Sequence, residues 1–225
     1  MVTGMVTVAN EIELGNIKAG LVVACETARQ IVDSTIDEIN AHKSINFYTR
    51  TMATMTGGSS AVAVLLTDGS LGLPSAKRHS IKGGVVRNAV QHHRLCRWKF
   101  EENGMPTTAR VHMRTDARGV MDYGLELIFD TFSEFKKEFD LKPDQPDKFI
   151  GHQVGASHHK KFFEILNQDS NKAFSTFPFL GNTGSVALPI TAAIADEQGF
   201  LTSGDFVIFI GAGSGINCYI LGIEW

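Results

Sequence analysis

Proline is scarce in this 225-residue chain: six occur, and none precedes Pro74. Beside 22 scattered glycines, that excludes a Pro-rich disordered polymer and points to tight turns between packed elements. Cysteine is scarcer still. Cys25, Cys96 and Cys218 are far apart and odd in number, which argues against a disulfide scaffold and for a reducing, cytoplasmic setting. Neither sign of charge dominates. With 21 Lys and Arg against 24 Asp and Glu the net charge is −3, so nothing electrostatic points to nucleic acid as a partner. No apolar run approaches the roughly 18–20 residues of a membrane span. The opening residues carry no basic stretch, and Glu11 and Glu13 come early, so no secretory leader is expected. What remains is an ordinary globular composition, 43% apolar and 20% charged, ample for one large domain or two halves.

The first element reads as a helix, with Met5, Val8, Ala9 and Ile12 on one face and Gly15 as its stop. After Gly20, the run Leu21 to Ala24 reads as a buried strand. Residues 26–56 are mixed and polar, with no strong period. The turn Gly57-Gly58-Ser59-Ser60 then precedes a strand from Ala61 to Leu66. The C-terminus repeats this order. Val186, Ile190, Ala193 and Ile194 form a helical stripe, Gly199 ends it, and Gly204 precedes a buried strand from Phe206 to Ile210. The turn 211–215 and a strand from Ile216 to Ile223 follow. The pairs Gly15/Gly20 and Gly199/Gly204 share one spacing, which we read as an internal duplication with an insertion in the first copy. The alternative is coincidence, since helix-to-strand connections often use glycine.

Between the copies lies a polar linker, Thr67 to Ser80, followed by a strand, Ile81 to Val90. An amphipathic helix runs from Val120 to Phe139, with Met121, Leu125, Ile128, Phe129 and Phe132 on one face. A turn with two prolines, Lys142 to Asp147, leads to a short strand, Phe149 to His152, and a second amphipathic helix, Ser157 to Leu166. Strands alternating with helices of this length predict an α/β fold. Ten of the 15 phenylalanines lie between Phe129 and Phe179, either as a packed second-half core or as the lining of an apolar tunnel. One feature is anomalous. A helix that feeds a buried parallel strand is normally a crossover with a strand before it, so the chain is expected to be cut at its N-terminus.

Several residues could carry chemistry. His152 ends a short strand, where ligands of α/β sheets gather and an imidazole can donate a hydrogen bond or move a proton. From position alone, a structural histidine at a strand end is the favoured reading. Asn182 precedes a helix in Gly181-Asn182-Thr183-Gly184, where a carboxamide could face a developing oxyanion or simply shape a turn. The turn Gly211-Ala212-Gly213-Ser214-Gly215 lies between strands, which argues against a dinucleotide fingerprint. Its backbone N–H groups could line an oxyanion hole, or it could be a tight turn without a ligand. His92, His93, Cys96 and His112 match no standard zinc spacing, and no metal is expected. His158, His159, Lys160 and Lys161 read as a solvated helix face, or as a dock for a phosphate-bearing carrier. Cys25 reads as a buried structural cysteine.

Taken in order, "HQV" at 152–154, "GNTG" at 181–184 and "GAGSGINC" at 211–218 resemble the second half of the ketoacyl-acyl-carrier-protein synthase III family of the thiolase superfamily. The opening at 4–28 resembles the stretch just after that family's nucleophile. Residues 81–98 and the ending "GSGINCYILGIEW" are similar to the olefin-pathway branch, which condenses two acyl-coenzyme A molecules head to head. The resemblance implies a layered αβαβα fold of two duplicated halves, the first incomplete, with 1–72 the remainder of one half and 73–225 the other. It implies no cofactor and a homodimer when complete, acting on acyl-coenzyme A or acyl-carrier-protein thioesters.

The resemblance also implies a mechanism. A cysteine thiolate takes an acyl group, and the α-carbanion of a second thioester attacks it. His152 and Asn182 match the pair that stabilises charge on the second thioester's carbonyl. The backbone N–H near Ser214 matches the oxyanion donor for the acyl-enzyme. The family's nucleophile turn, of Asn-Ala-Cys type, is absent here, and none of the three cysteines aligns with it. The chain is therefore expected to be the C-terminal part of a condensing acyltransferase of lipid biosynthesis. The competing expectation is a non-catalytic remnant or accessory subunit that pairs with a complete synthase. A weaker third is a thioester decarboxylase or hydrolase.

Overall fold

The computed structural model describes residues 1–72, 77–101, 110–142, 144–153 and 155–225. In chain order its elements are α1 (Val2–Glu13), β1 (Ala19–Glu26), α2 (Arg29–His42), α3 (Ile45–Thr51), β2 (Ser60–Thr67), β3 (Ser80–Asn88), β4 (Cys96–Glu101) and β5 (Arg110–Thr115). Then follow α4 (Ala117–Glu138), β6 (Lys148–Gly151), α5 (Ala156–Leu166), α6 (Phe177–Leu180), α7 (Ala187–Glu197), β7 (Phe206–Gly213) and β8 (Asn217–Glu224). The half boundary expected after residue 72 adjoins residues outside the described set, and the expected turn at 142–147 includes one of them.

The central sheet has the order β3-β8-β7-β6, with β6 parallel to β7 and the other pairs antiparallel. Its core strand is Val207 to Ile210, each residue no more than 4% exposed. Alternation along β7 and β8 divides the core in two. Ile208, Ile210, Cys218 and Ile220 face Phe132 and Phe135 of α4 and Phe163 of α5. Val207, Phe209, Leu221 and Ile223 face Val2 and Met5 of α1 and Leu188 and Ala192 of α7. The phenylalanine-rich segment thus supplies much of the first cluster. Beyond α1 and α7 lies a second, two-stranded sheet of antiparallel β1 and β2, whose Val64 and Leu66 pack onto the second cluster. The layering among the described residues is helix, sheet, helix, sheet, four of the five layers of the expected thiolase-like αβαβα fold, with the outer face of β1 and β2 uncovered.

The duplication is visible in the backbone. Gly15 (φ +75°) and Gly199 (φ +71°) both leave a helix in the left-handed region, and each copy then forms an antiparallel strand pair. The insertion at 27–59 carries α2 and α3, which the absence of a strong period had left unassigned. The hairpin β4–β5 was also unassigned. It docks on α2 and α3.

Three expectations need correction. The strand at Leu21–Ala24 forms but is not buried: Leu21 is 61% and Val23 64% exposed, and Leu65 on β2 is 52% exposed. Only the face toward α1 and α7 is covered, so alternation leaves the other face open. Cys25 belongs to that open face and is exposed rather than buried. On α4, Phe129 is 46% exposed. The buried stripe runs through Leu125, Phe132 and Phe135 instead, and Phe129 lies beyond its edge.

Candidate functional site

Three candidate positions lie at one end of the central sheet. His152 follows β6 directly, and its N–H donates to the Ile210 carbonyl at 2.8 Å, carrying the parallel ladder one residue past Gly151. It therefore sits at the carboxyl ends of β6 and β7, half-buried. On β7 the same direction leads to Gly213 and the turn at Ser214. Helix α7 runs the opposite way. Trp225, just past β8, donates Nε1–H to Asp196 Oδ1 at 2.9 Å, so the last turn of α7 lies at the amino end of β7. The first turn of α7, with the Asn182 loop before it, consequently lies at the carboxyl end, with His152 and Ser214.

Gln153 ties this end of the sheet to the segment that precedes Asn182. Its side chain is buried, and Oε1 accepts Phe177 N–H at 2.8 Å, Thr176 N–H at 2.9 Å and the Ser175 hydroxyl at 3.0 Å. Nε2 donates to the Phe174 carbonyl at 3.0 Å and reaches Thr191 of α7 at 3.5 Å. The segment leading through α6 to Asn182 is thereby pinned beside His152.

Asn182 is held by backbone and side chain together. Its N–H donates to the Thr56 carbonyl and its carbonyl accepts Gly58 N–H, both at 2.8 Å. Its Oδ1 accepts Gly184 N–H at 3.0 Å. That bond fixes which way the amide faces and leaves Nδ2, the donor end, directed away from Gly184. The turn at Ser214 is solvent-exposed and is braced by Asn217, whose Nδ2 donates to the Ser214 carbonyl at 2.9 Å. Such a set can place hydrogen-bond donors around one carbonyl oxygen.

The remaining candidates lie elsewhere. Cys218 is fully buried in β8, and burial pushes its thiol up to about 12 against an opposing hydrogen bond with Thr131, so it is not a thiolate near neutral pH. Cys96 Sγ lies 3.6 Å from Thr115 Oγ1 within its hairpin. His92 stacks on Tyr123 at 3.8 Å, His93 Nδ1 lies 3.1 Å from the Val90 carbonyl, and His112 pairs with Glu38 at 3.0 Å. These side chains serve separate partners, and the described residues contain no cluster of three metal-ligating groups. His159 departs from the expected solvated face. Its ring packs 4.9 Å from Phe163, and burial lowers its pKa, while Lys160 and Lys161 remain exposed.

Two residues at the site were missed by sequence reasoning. Gln153 stood inside the "HQV" signature without a role of its own. Glu26 accepts Ser185 Oγ–H at 2.6 Å from 159 residues away, and no spacing in the sequence signals that contact.

This fold is that of a thiolase-like α/β protein. Residues 137–225 match the family described as 3-oxoacyl-[acyl-carrier-protein (ACP)] synthase III C terminal. Over its whole length the chain is 48% identical to the acyl-CoA:acyl-CoA alkyltransferase of Shewanella oneidensis and covers 64% of that protein. It is 30% identical to the Xanthomonas campestris protein of the same name and covers 63% of it. Among solved structures, Xanthomonas campestris OleA aligns over 100% of this chain and 62% of its own, with a TM-score of 0.87 and 29% identity. The synthase III FabH of Xanthomonas oryzae pv. oryzae aligns over 100% and 63%, with a TM-score of 0.85 and 30% identity. The chain is thus similar to the C-terminal part of ketoacyl-acyl-carrier-protein synthase III and to the acyl-CoA:acyl-CoA alkyltransferases. It spans just under two thirds of the length of these curated relatives.

Proposed function

We propose that this chain carries the carbonyl-activating half of a condensing acyltransferase that joins two acyl thioesters in lipid biosynthesis. The support for this is the placement of His152 and Asn182 at the same, carboxyl end of the central sheet, with Asn182 Oδ1 taken up by Gly184 N–H so that Nδ2 is left as the donor end. In this reading the carbonyl oxygen of the second thioester lies between His152 and Asn182 Nδ2. As the α-carbon gives up its proton to a base, or CO2 where the thioester is malonyl, the bonding pair moves onto that oxygen as charge, and each donor lowers the barrier by about 3 kcal/mol. The α-carbon then attacks an acyl-enzyme thioester, the carbon–carbon bond forms, and the cysteine thiolate leaves. The N–H near Ser214 serves the acyl-enzyme's own carbonyl oxygen.

The acyl acceptor is not one of the three cysteines here. Cys218 is a buried thiol, Cys25 lies on the outer face of β1, and Cys96 belongs to the β4–β5 hairpin. We assign that thiolate to polypeptide beyond these 225 residues. The substrates are acyl-coenzyme A or acyl-carrier-protein thioesters. A structure of a Xanthomonas campestris OleA variant with bound lauric acid and lauroyl-CoA makes lauroyl-CoA the first substrate to try. The complete assembly is proposed to be a cytoplasmic homodimer.

The test uses the chain's own half of the chemistry, which needs no acyl acceptor. In D2O the chain should promote α-deuterium uptake by lauroyl-CoA or CO2 release from malonyl-CoA. His152→Ala should lower that rate about a hundredfold, the cost typical of one oxyanion donor. A native rate in that variant, or no rate in the native chain, overturns the reading.

A second reading, an accessory subunit that pairs with a complete synthase, draws support from the open apolar face at Leu21, Val23 and Leu65. Stable co-purification with a full-length synthase, together with no carbonyl activation by the chain, would favour it.

A further inference from the structure

Glu26 ends β1, yet its carboxylate works in the Asn182 loop. Oε1 accepts Ser185 Oγ–H at 2.6 Å and Ser185 N–H at 3.2 Å. Gly184 lies directly against it. That residue has φ +57°, and a Cβ there would sit 3.0 Å from Glu26 Cδ. The N–H of Gly184 is the one that Asn182 Oδ1 accepts. A carboxylate that holds both donors of Ser185 fixes the 184–185 segment. That segment sets the direction of Gly184 N–H, and Gly184 N–H sets the face of the Asn182 amide.

The opposite side of the loop is equally closed. The turn at 56–58 takes both backbone groups of Asn182. A Cβ at Gly58 would lie 1.9 Å from the Leu180 carbonyl oxygen, and one at Gly181 (φ +68°) would lie 2.5 Å from that of Thr56. Only glycine lets the two backbones meet so closely.

We propose that Glu26 is a positioning residue for Asn182. Acting through Ser185 and Gly184, it holds the carboxamide with Nδ2 aimed at the thioester carbonyl. The inference rests on the carbonyl-activating reading of Asn182. A loosened loop would keep Asn182 present but misdirect its donor, and small misplacements of a catalytic group are costly.

The test is a double-mutant cycle on the whole chain with Glu26→Ala, Asn182→Ala and the pair. It reads deuterium uptake by lauroyl-CoA and CO2 release from malonyl-CoA. Asn182→Ala is expected to lower kcat about a hundredfold. Glu26→Ala should lower it about tenfold with KM little changed. The pair should fall no further than Asn182→Ala alone, because Glu26 acts only through that amide. Glu26→Gln keeps an acceptor oxygen for Ser185 and should restore most of the rate. Hydrogen exchange at 182–185 should rise in Glu26→Ala but not in Glu26→Gln, with α7 still protected.

Additive losses in the pair, or a native rate in Glu26→Ala, overturn the positioning role and leave Asn182's role standing. A native rate in Asn182→Ala, or an inactive native chain, overturns the carbonyl-activating reading and this inference with it. Should Glu26→Ala fail to fold, Ser185→Ala must show the same non-additivity with Asn182→Ala, and additivity there overturns the proposal.

Discussion

Gln153 Oε1 accepts the backbone N–H of Thr176 at 2.9 Å, inside a site where both residues are buried. Two further donors, from Ser175 and Phe177, converge on the same oxygen. One side chain next to His152 therefore satisfies the chain segment that delivers Asn182. Gln153→Ala leaves those donors unpaired, and we expect it to destabilise the protein by about 3 kcal/mol. Denaturant melts of the two forms measure this, and a loss under about 0.5 kcal/mol, the scale of a neutral surface change, would refute it.

His152 should matter for bond formation and not for acyl loading. We expect a fusion of this chain to the unmatched part of the Shewanella alkyltransferase to condense lauroyl-CoA. With His152→Ala the fusion should still load the acyl group yet form no carbon–carbon bond. Mass spectrometry of the protein and of the product separates the two steps. Condensed product at the native rate in the variant contradicts the assigned role.

The open face of β1 and β2 should be adhesive. Leu21, Val23 and Leu65 expose 61%, 64% and 52% of their surface on one side of a two-stranded sheet. Val23→Lys with Leu65→Lys should reduce concentration-dependent self-association in sedimentation velocity without disturbing the core. A native chain that stays monomeric at high concentration would contradict this.

Glu38 should make stability depend on acid. Its carboxyl lies between α2 and β5. Burial alone would raise its pKa, but hydrogen bonds from Arg114 and His112 and their charges outweigh that and hold it below the usual 4.5. A depressed carboxyl contributes stability that is present above its unfolded pKa and is lost as pH falls through the lower, folded one. Melting curves should therefore weaken below about pH 4.5, and Glu38→Gln should flatten that limb. An unchanged acid limb in the variant would remove Glu38 from the account.

Sequence alone determined the elements with strong periodicity. The helices α1, α4 and α5, the strands β6, β7 and β8, and the repeated helix–glycine–strand order were legible because apolar spacing and glycine stops are local properties. The candidates His152, Asn182 and Ser214 were legible too, as signatures in a fixed order. Tertiary structure decided the rest. Helices α2 and α3 and the hairpin β4–β5 support one another through contacts such as Arg114 on Glu38 at 2.9 Å, which no local pattern announces. The burial of β1 could not be read from its composition, because a strand is as buried as the layers that cover it, and here only one face is covered. The loop that carries Asn182 is held by Thr56 and Gly58, and its Ser185 by Glu26, all far away along the chain. Hydrogen bonds between distant residues follow from the packing of whole elements, so a signature can nominate a side chain but only the fold can aim it.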